Sequence, residues 1–183
     1  MADQNFGIWP VYRVFYLESM RFITTSATNS ILELNRNLQL WEEGNHSLLD
    51  RSSILNPVQN IVLQGAALSR YFWPVKAQKS LHKNRAEFLR DKFKMTDKSP
   101  LKSRDLRNII EHFDEKLDEY LEHDIAGHII PEFVGDLSEQ REVPVHVFRA
   151  YDPTTATFEI LGHQFHISPI ADEIVRVHVQ ISD

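Results

Sequence analysis

From Val11 to about Trp41 the apolar residues Met20, Ala27, Ile31, Leu34, Leu38 and Trp41 recur every three or four positions, the repeat of one helix face. The pattern predicts one long helix. A polar run, "TTSATNS" from Thr24 to Ser30, brings in β-branched and backbone-competing side chains that lower helix propensity, which leaves room for a kink or break within that helix. Gly44 and Asn45 supply the stop. Asn56-Pro57 opens a second predicted helix, because a proline early in a helix withholds an N–H that has no partner there anyway. That helix runs through "VQNIVLQGAALSRYFW" and ends before Pro74. Gly65, Ala66, Ala67 and Ser69 would admit a neighbouring helix closely, while Tyr71, Phe72 and Trp73 would fill one end of a core. A third helix is expected through "HKNRAEFLRDKF", and the loop from Thr96 to Pro100 leads into a fourth.

The fourth helix, "LRNIIEHFDEKLDEYLEH" at 106–123, carries both a core stripe and a concentration of polar chemistry. At about 100° per residue, Leu106, Ile109, Ile110, Phe113, Leu117, Tyr120 and Leu121 form one wide apolar stripe. Arg107 falls on one flank with Glu111, Asp114 and Asp118, while Asn108 and His112 lie together on the other. In a regular helix Arg107 and His112 point roughly 140° apart. A site using both needs either a distorted helix or a second copy of the chain, and a symmetric dimer supplies the second copy.

After His123, Gly127, Pro131 and Gly135 interrupt any helix. "VPVHVFRAYD" and "TATFEILGHQFHI" then alternate apolar and polar side chains on either side of Asp152-Pro153-Thr154-Thr155, which reads as a β-hairpin. In the last segment Ser168-Pro169 with Asp172 and Glu173 suggests a helix start, whereas Val175, Val177, Val179 and Ile181 alternate as in a strand; helix is the expectation. The expected fold is mainly α: a bundle of four main helices over 1–126, with a small C-terminal β-hairpin extension over 127–183 packed on it and a terminal helix.

Composition narrows the function. A chain of 183 residues with 42% apolar content supports one well-buried core. No run of about 18 apolar residues and no secretory signal pattern is present, so a cytoplasmic protein without a membrane partner is expected. The absence of cysteine excludes disulfides, thiolate nucleophiles and Cys-based metal sites. A net charge of −6 argues against broad binding to nucleic acid but leaves room for a local basic site. Lys98, Lys102, Arg104 and Arg107 form such a cluster beside the fourth helix, whereas Glu111, Asp114, Glu115, Asp118, Glu119 and Glu122 would repel RNA along its length. A phosphate would therefore enter from the N-terminal end.

The segment "SPLKSRDLRNIIEHFDEKLDEY", with "ALSRYFWP" and "RAEFLRDKF" upstream, resembles the HEPN superfamily (higher eukaryotes and prokaryotes nucleotide-binding domains). Its signature is an Arg, usually followed by a polar residue, and a His just over one helical turn further on; Arg107, Asn108 and His112 match it. The resemblance covers roughly residues 56–123. It implies a helical bundle that commonly dimerises and, in catalytic members, cleaves RNA without metal or other cofactor at a site built from two protomers. Carried over, Arg107 would stabilise phosphate charge, His112 would act as general acid or base, and Asn108 would orient the imidazole or the phosphate; the basic cluster, read from the sequence itself, adds Lys102 and Arg104 as candidate substrate-binding residues. Many toxin members place Tyr two residues after the His, and here that position is Asp114. Other members are non-catalytic modules for a protein or nucleotide partner.

Plainer readings exist for each residue. Arg107 and Glu111 form an i,i+4 pair worth about 0.3 kcal/mol when exposed, and the acids form a solvated face. His163 and His166 point to opposite faces of a strand, which does not suit a metal. His123 and His128 straddle a helix end, where capping accounts for them. The readings carried forward are a HEPN-like endoribonuclease with a composite site in a homodimer, a non-catalytic HEPN-like binding module, and a structural bundle.

Overall fold

A computed structural model describes residues 8–44, 50–123, 127–137 and 145–182, without the side chains of residues 110 and 111. The chain runs α1 (Pro10–Glu42), α2 (Ser52–Phe72), α3 (Ser80–Lys92), a 3₁₀ turn (Pro100–Lys102), α4 (Arg104–Glu111) and α5 (Phe113–Leu121). It continues as β1 (His128–Val134), β2 (Val145–Asp152), β3 (Thr157–Ile160), β4 (His163–His166) and α6 (Ile167–Ser182). The fold is mainly helical with a small sheet.

α1 is a single helix of 33 residues, as its periodicity predicts, and the polar run introduces no break. Thr24 Oγ1 donates to the Arg21 carbonyl at 3.1 Å and meets His178 Nδ1 at 2.9 Å; Thr28 Oγ1 donates to the Thr24 carbonyl at 2.8 Å. Asn60 Nδ2 donates to Ser30 Oγ at 2.7 Å. The hydroxyls that lower helix propensity in isolation thus bond either their own helix or α2 and α6, and Thr24, Ala27 and Ser30 are small enough to be buried there. Gly44, at φ +78°, follows the end of α1, and Asn45 lies outside the described residues.

α2 starts a turn earlier than expected. The Asp50 carboxylate accepts from the Ser53 N–H and from the Ser52 and Ser53 hydroxyls, each at 2.8 Å, which caps the extra turn. These bonds, the Ser53 hydroxyl's foremost, hold the Asp50 carboxyl below its ordinary pKa. Pro57 therefore sits inside the helix, where it has no N–H to give the Ser53 carbonyl. Asn37 Nδ2, on α1, donates to that carbonyl at 2.7 Å instead.

The last segment is helical. α6 buries Ile167, Ile170, Ile174, Val177 and Ile181, and one contiguous core joins them to α1, α2, α4 and the sheet residues Tyr151, Phe158, Ile160 and Phe165. A polar network fastens α6 to the segment after α3. Glu173 accepts from Ser99 Oγ at 2.9 Å and Arg176 Nε at 2.8 Å, and Arg176 Nη1 donates to the Phe93 carbonyl at 2.7 Å. Burial pushes the Glu173 carboxyl up, but the bonds from Arg176 and Ser99 together outweigh it and hold the group below its ordinary pKa.

The β-region is a four-stranded sheet in the order β1-β2-β3-β4, not the two-stranded hairpin expected. β1 is parallel to β2, and the remaining pairs are antiparallel. Pro131 is tolerated because β1 is an edge strand. The second expected strand folds back on itself at Leu161-Gly162, with φ of 48° and 78°, the positive pair of a tight hairpin turn. The expected turn after Asp152 is present: Thr154 donates to Asp152 Oδ1 from its N–H at 2.8 Å and its hydroxyl at 2.6 Å. Among the described residues no helix is long and apolar enough to cross a membrane.

Two stability predictions follow from these bonds. Asn37→Ala should destabilise the protein by about 1–2 kcal/mol, the cost of leaving a carbonyl unpaired, and clearly less in a Pro57→Ala background that restores the N–H; urea denaturation of the four proteins of the cycle measures this. Glu173→Gln should cost about 1–2 kcal/mol near neutral pH. Because the folded pKa is depressed, that stabilisation is complete above the ordinary carboxylate range and lost as pH falls through the folded pKa. Melting curves of wild type and variant should therefore converge in acid.

Candidate functional site

The site is carried by the 3₁₀ turn and α4. Leu101 is fully buried and anchors the turn, and Ser99 Oγ accepts its N–H at 3.3 Å. Ser103 then caps α4 by accepting the Leu106 N–H at 3.3 Å, and Leu106 and Ile109 face the core. Lys102 and Arg104 flank the cap on the solvent side. One helical turn on from the cap, Arg107 Nη1 donates to the Trp73 carbonyl at 2.8 Å, just beyond the C-terminal end of α2, where a helix dipole favours a cation. Lys102, Arg104, Arg107 and Asn108 together line a groove of about 480 Å³ against Trp73, Pro74 and Val75. Lys102 Nζ also lies 2.8 Å from Asp97 Oδ1 and, through this bond, holds the Asp97 carboxyl below its ordinary pKa.

His112 is placed differently. The single helix expected over 106–123 is broken at this residue, whose backbone takes φ −120° and ψ 37°. Its N–H still bonds the Asn108 carbonyl at 3.1 Å and its carbonyl accepts the Lys116 N–H at 2.8 Å, so it closes α4 and opens α5. The reason for the break is tertiary. α4 packs on α2, whereas α5 lays Tyr120 against β2, with its ring centroid 6.2 Å from that of Phe148 and its hydroxyl 3.1 Å from His146 Nδ1. The His112 side chain is 51% exposed, with Nδ1 3.3 Å from Glu115 Oε2.

Of the five site residues read from the sequence, the structure brings Lys102, Arg104, Arg107 and Asn108 to one groove, and His112 is not among its lining residues. The expected Arg107–Glu111 pair lies outside the described residues, because the Glu111 side chain is not described. The part of Trp73, Pro74 and Val75 in the site was not foreseen: "YFWP" reads as core followed by a helix stop, and nothing local reveals that its carbonyl meets Arg107.

A second concavity, of about 350 Å³, lies between α5 and the sheet and was also missed. Tyr120, His123, His146 and His163 line it, together with Lys116, Glu119 and Leu161. His123 Nδ1 lies 2.8 Å from the Glu119 carbonyl, in keeping with the capping expected there, and His166 Nδ1 lies 3.2 Å from Thr157 Oγ1. Only the topology joins His146 and His163 to α5.

Compared with known proteins, the chain matches no protein-family model, no curated protein and no solved structure.

The groove separates residues by how firmly they are built in. Arg107→Ala should cost about 1–2 kcal/mol of stability, because it leaves the Trp73 carbonyl without its donor. Exposed Arg104→Ala should change stability by no more than about 0.5 kcal/mol. Chemical denaturation of the two variants tests the difference.

Proposed function

We propose that the chain is a HEPN-like RNA-binding protein that cleaves RNA in a homodimer, with the α4 groove holding phosphate and His112 reaching it from a second copy. The observation that carries this reading is the separation itself: three cationic side chains and Asn108 share one groove, while an exposed imidazole stands outside it at a helix break. Such an arrangement fits a site completed across a two-fold interface.

The chemistry is that of 2′-hydroxyl attack. His112 accepts the proton of a ribose 2′-hydroxyl, the 2′-oxygen forms a bond to the adjacent phosphorus, and the bond from phosphorus to the 5′-oxygen breaks. A proton returned to that oxygen gives a 5′-hydroxyl end and a 2′,3′-cyclic phosphate. Arg107 supplies guanidinium donors to the phosphoryl oxygens as their charge grows, and its bond to the Trp73 carbonyl fixes its direction beforehand. Lys102 and Arg104 hold neighbouring phosphates, and their charge is local on a chain of net charge −6. The step requires a 2′-hydroxyl, which makes RNA and not DNA the substrate.

A second reading, non-catalytic capture of a nucleotide or protein partner, is favoured by the intramolecular partners that both key side chains have: Trp73 for Arg107 and Glu115 for His112.

Mixing inactive variants separates the two. In EDTA, wild type should cleave a pool of structured and single-stranded RNA, and Arg107→Ala and His112→Ala should each be inactive. Subunits exchanged between the variants should recover about a quarter of wild-type activity, because half the dimers are mixed and each mixed dimer holds one intact site of two. No cleavage by wild type, accompanied by binding that Lys102→Ala and Arg104→Ala weaken, would favour the second reading. Cleavage without recovery on mixing would place Arg107 and His112 in one subunit's site.

A further inference from the structure

The cleft between α5 and the sheet has no part in the phosphate chemistry just described. Leu161 in its lining is almost fully buried, Lys116 pairs with Glu119 at 2.6 Å, and Tyr120 meets His146 Nδ1 at 3.1 Å. Three imidazoles and a phenol in one concavity suggest either metal binding or stacking. Among the described residues no group of three or more His, Cys, Asp or Glu could hold a metal ion, so the first is not supported. Stacking fits: these side chains offer flat aromatic faces with polar edges that can donate and accept hydrogen bonds. A volume of about 350 Å³ suits a small planar ligand.

Charge decides which part of an RNA can enter. Glu115, Asp118, Glu119 and Glu122 are exposed along α5, and a phosphate backbone following that helix would be repelled. A neutral base would not. Lys116 and Tyr120 share one face of α5, His112 stands just before that helix and His123 just after it, so the cleft begins about one helical turn from the proposed acid–base residue. His112 and Tyr120 are about 12 Å apart along the helix axis.

We infer that this cleft is a nucleobase subsite, in which an unpaired RNA base is held by Tyr120, His123, His146 and His163 while the phosphates keep to the α4 groove and the His112 end. The identity of the ligand as RNA rests on the reading given under Proposed function; the recognition of a base rests on the cleft alone. Burial, with the Glu159 charge adding to it, pushes the Tyr120 phenol above its ordinary pKa, so it remains a protonated donor.

The test follows the histidine imidazole resonances of the full chain by NMR while adenosine, guanosine, cytidine or uridine is added. These nucleosides carry no phosphate and have no claim on the cationic groove. At least one should give saturable shifts at His123, His146 and His163, leaving His82 on α3 unmoved. His163→Ala and His123→Ala, both at exposed positions, should weaken its apparent affinity about tenfold. No saturable shift with any nucleoside, or equal affinity in both variants, overturns the subsite even if the protein binds or cuts RNA. Nucleoside binding by a protein that shows no affinity for RNA overturns the assignment of the base to RNA. Cleavage of RNA together with affinity lost in the histidine variants supports both readings, whereas RNA binding without cleavage, with the same loss of affinity, supports the subsite and counts against the nuclease.

Discussion

α2 and α6 approach so closely at Gly65 that a β-carbon there would lie 3.2 Å from Ile170 Cγ2 and 3.4 Å from Leu101 Cδ2. Three elements far apart in sequence therefore meet where one side chain is missing. The contact lets α6 bury its isoleucine face against the helices, so the final segment of the chain lies at the centre of the packing. It also fixes the 3₁₀ turn, since Leu101 is one of the touching residues. Lys102, Ser103 and Arg104 follow directly, and Ser103 caps α4. The groove's cations thus owe their position to apolar packing: charge selects what the groove can hold, but the core decides where it is.

Within the groove the same economy gives Arg107 its direction. One of its five N–H donors meets the Trp73 carbonyl, and the planar fork keeps the others in a fixed relation to that bond. The side-chain entropy that a free arginine loses on meeting a phosphate has already been lost in folding. His112 stands in contrast. It is half exposed, it ends one helix and begins the next, and its described partner is an exposed glutamate. Moving its imidazole to a ligand costs little packing, whereas moving Arg107 breaks a bond to the backbone.

How much of this was legible depended on whether the deciding contacts were local. The α1 stripe and the close approach at Gly65 are written in the local sequence, and each was read correctly as a pattern; of the cations read as a cluster, Lys102, Arg104 and Arg107 line the groove and Lys98 is not among its lining residues. The single long α1 was legible from its stripe, but what carries it unbroken through Thr24–Ser30 was not, because His178 and Asn60, which bond the hydroxyls, lie in other elements. Pro57 as an interior helix residue was hidden for the same reason: its defect is repaired by Asn37 on α1. The break at His112 has no Gly or Pro to announce it and arises because α4 and α5 pack on different surfaces. Leu161-Gly162 is a weak turn signal, since leucine seldom takes positive φ, and its burial makes that conformation worth adopting.

The break changes the grounds for a composite site without removing them. In an uninterrupted helix the divergence of Arg107 and His112 would follow from the angle per residue alone. With the helix interrupted, that angle no longer applies, and a distorted helix was the one route by which a single chain could have joined the two side chains. The distortion is present, yet it serves a different contact. α5 turns so that Phe113, Leu117 and Tyr120 pack against the common core, and Arg107 stays with the end of α2. The proposal of a second copy then rests on the lining of the groove, which holds Lys102, Arg104 and Arg107 and not His112.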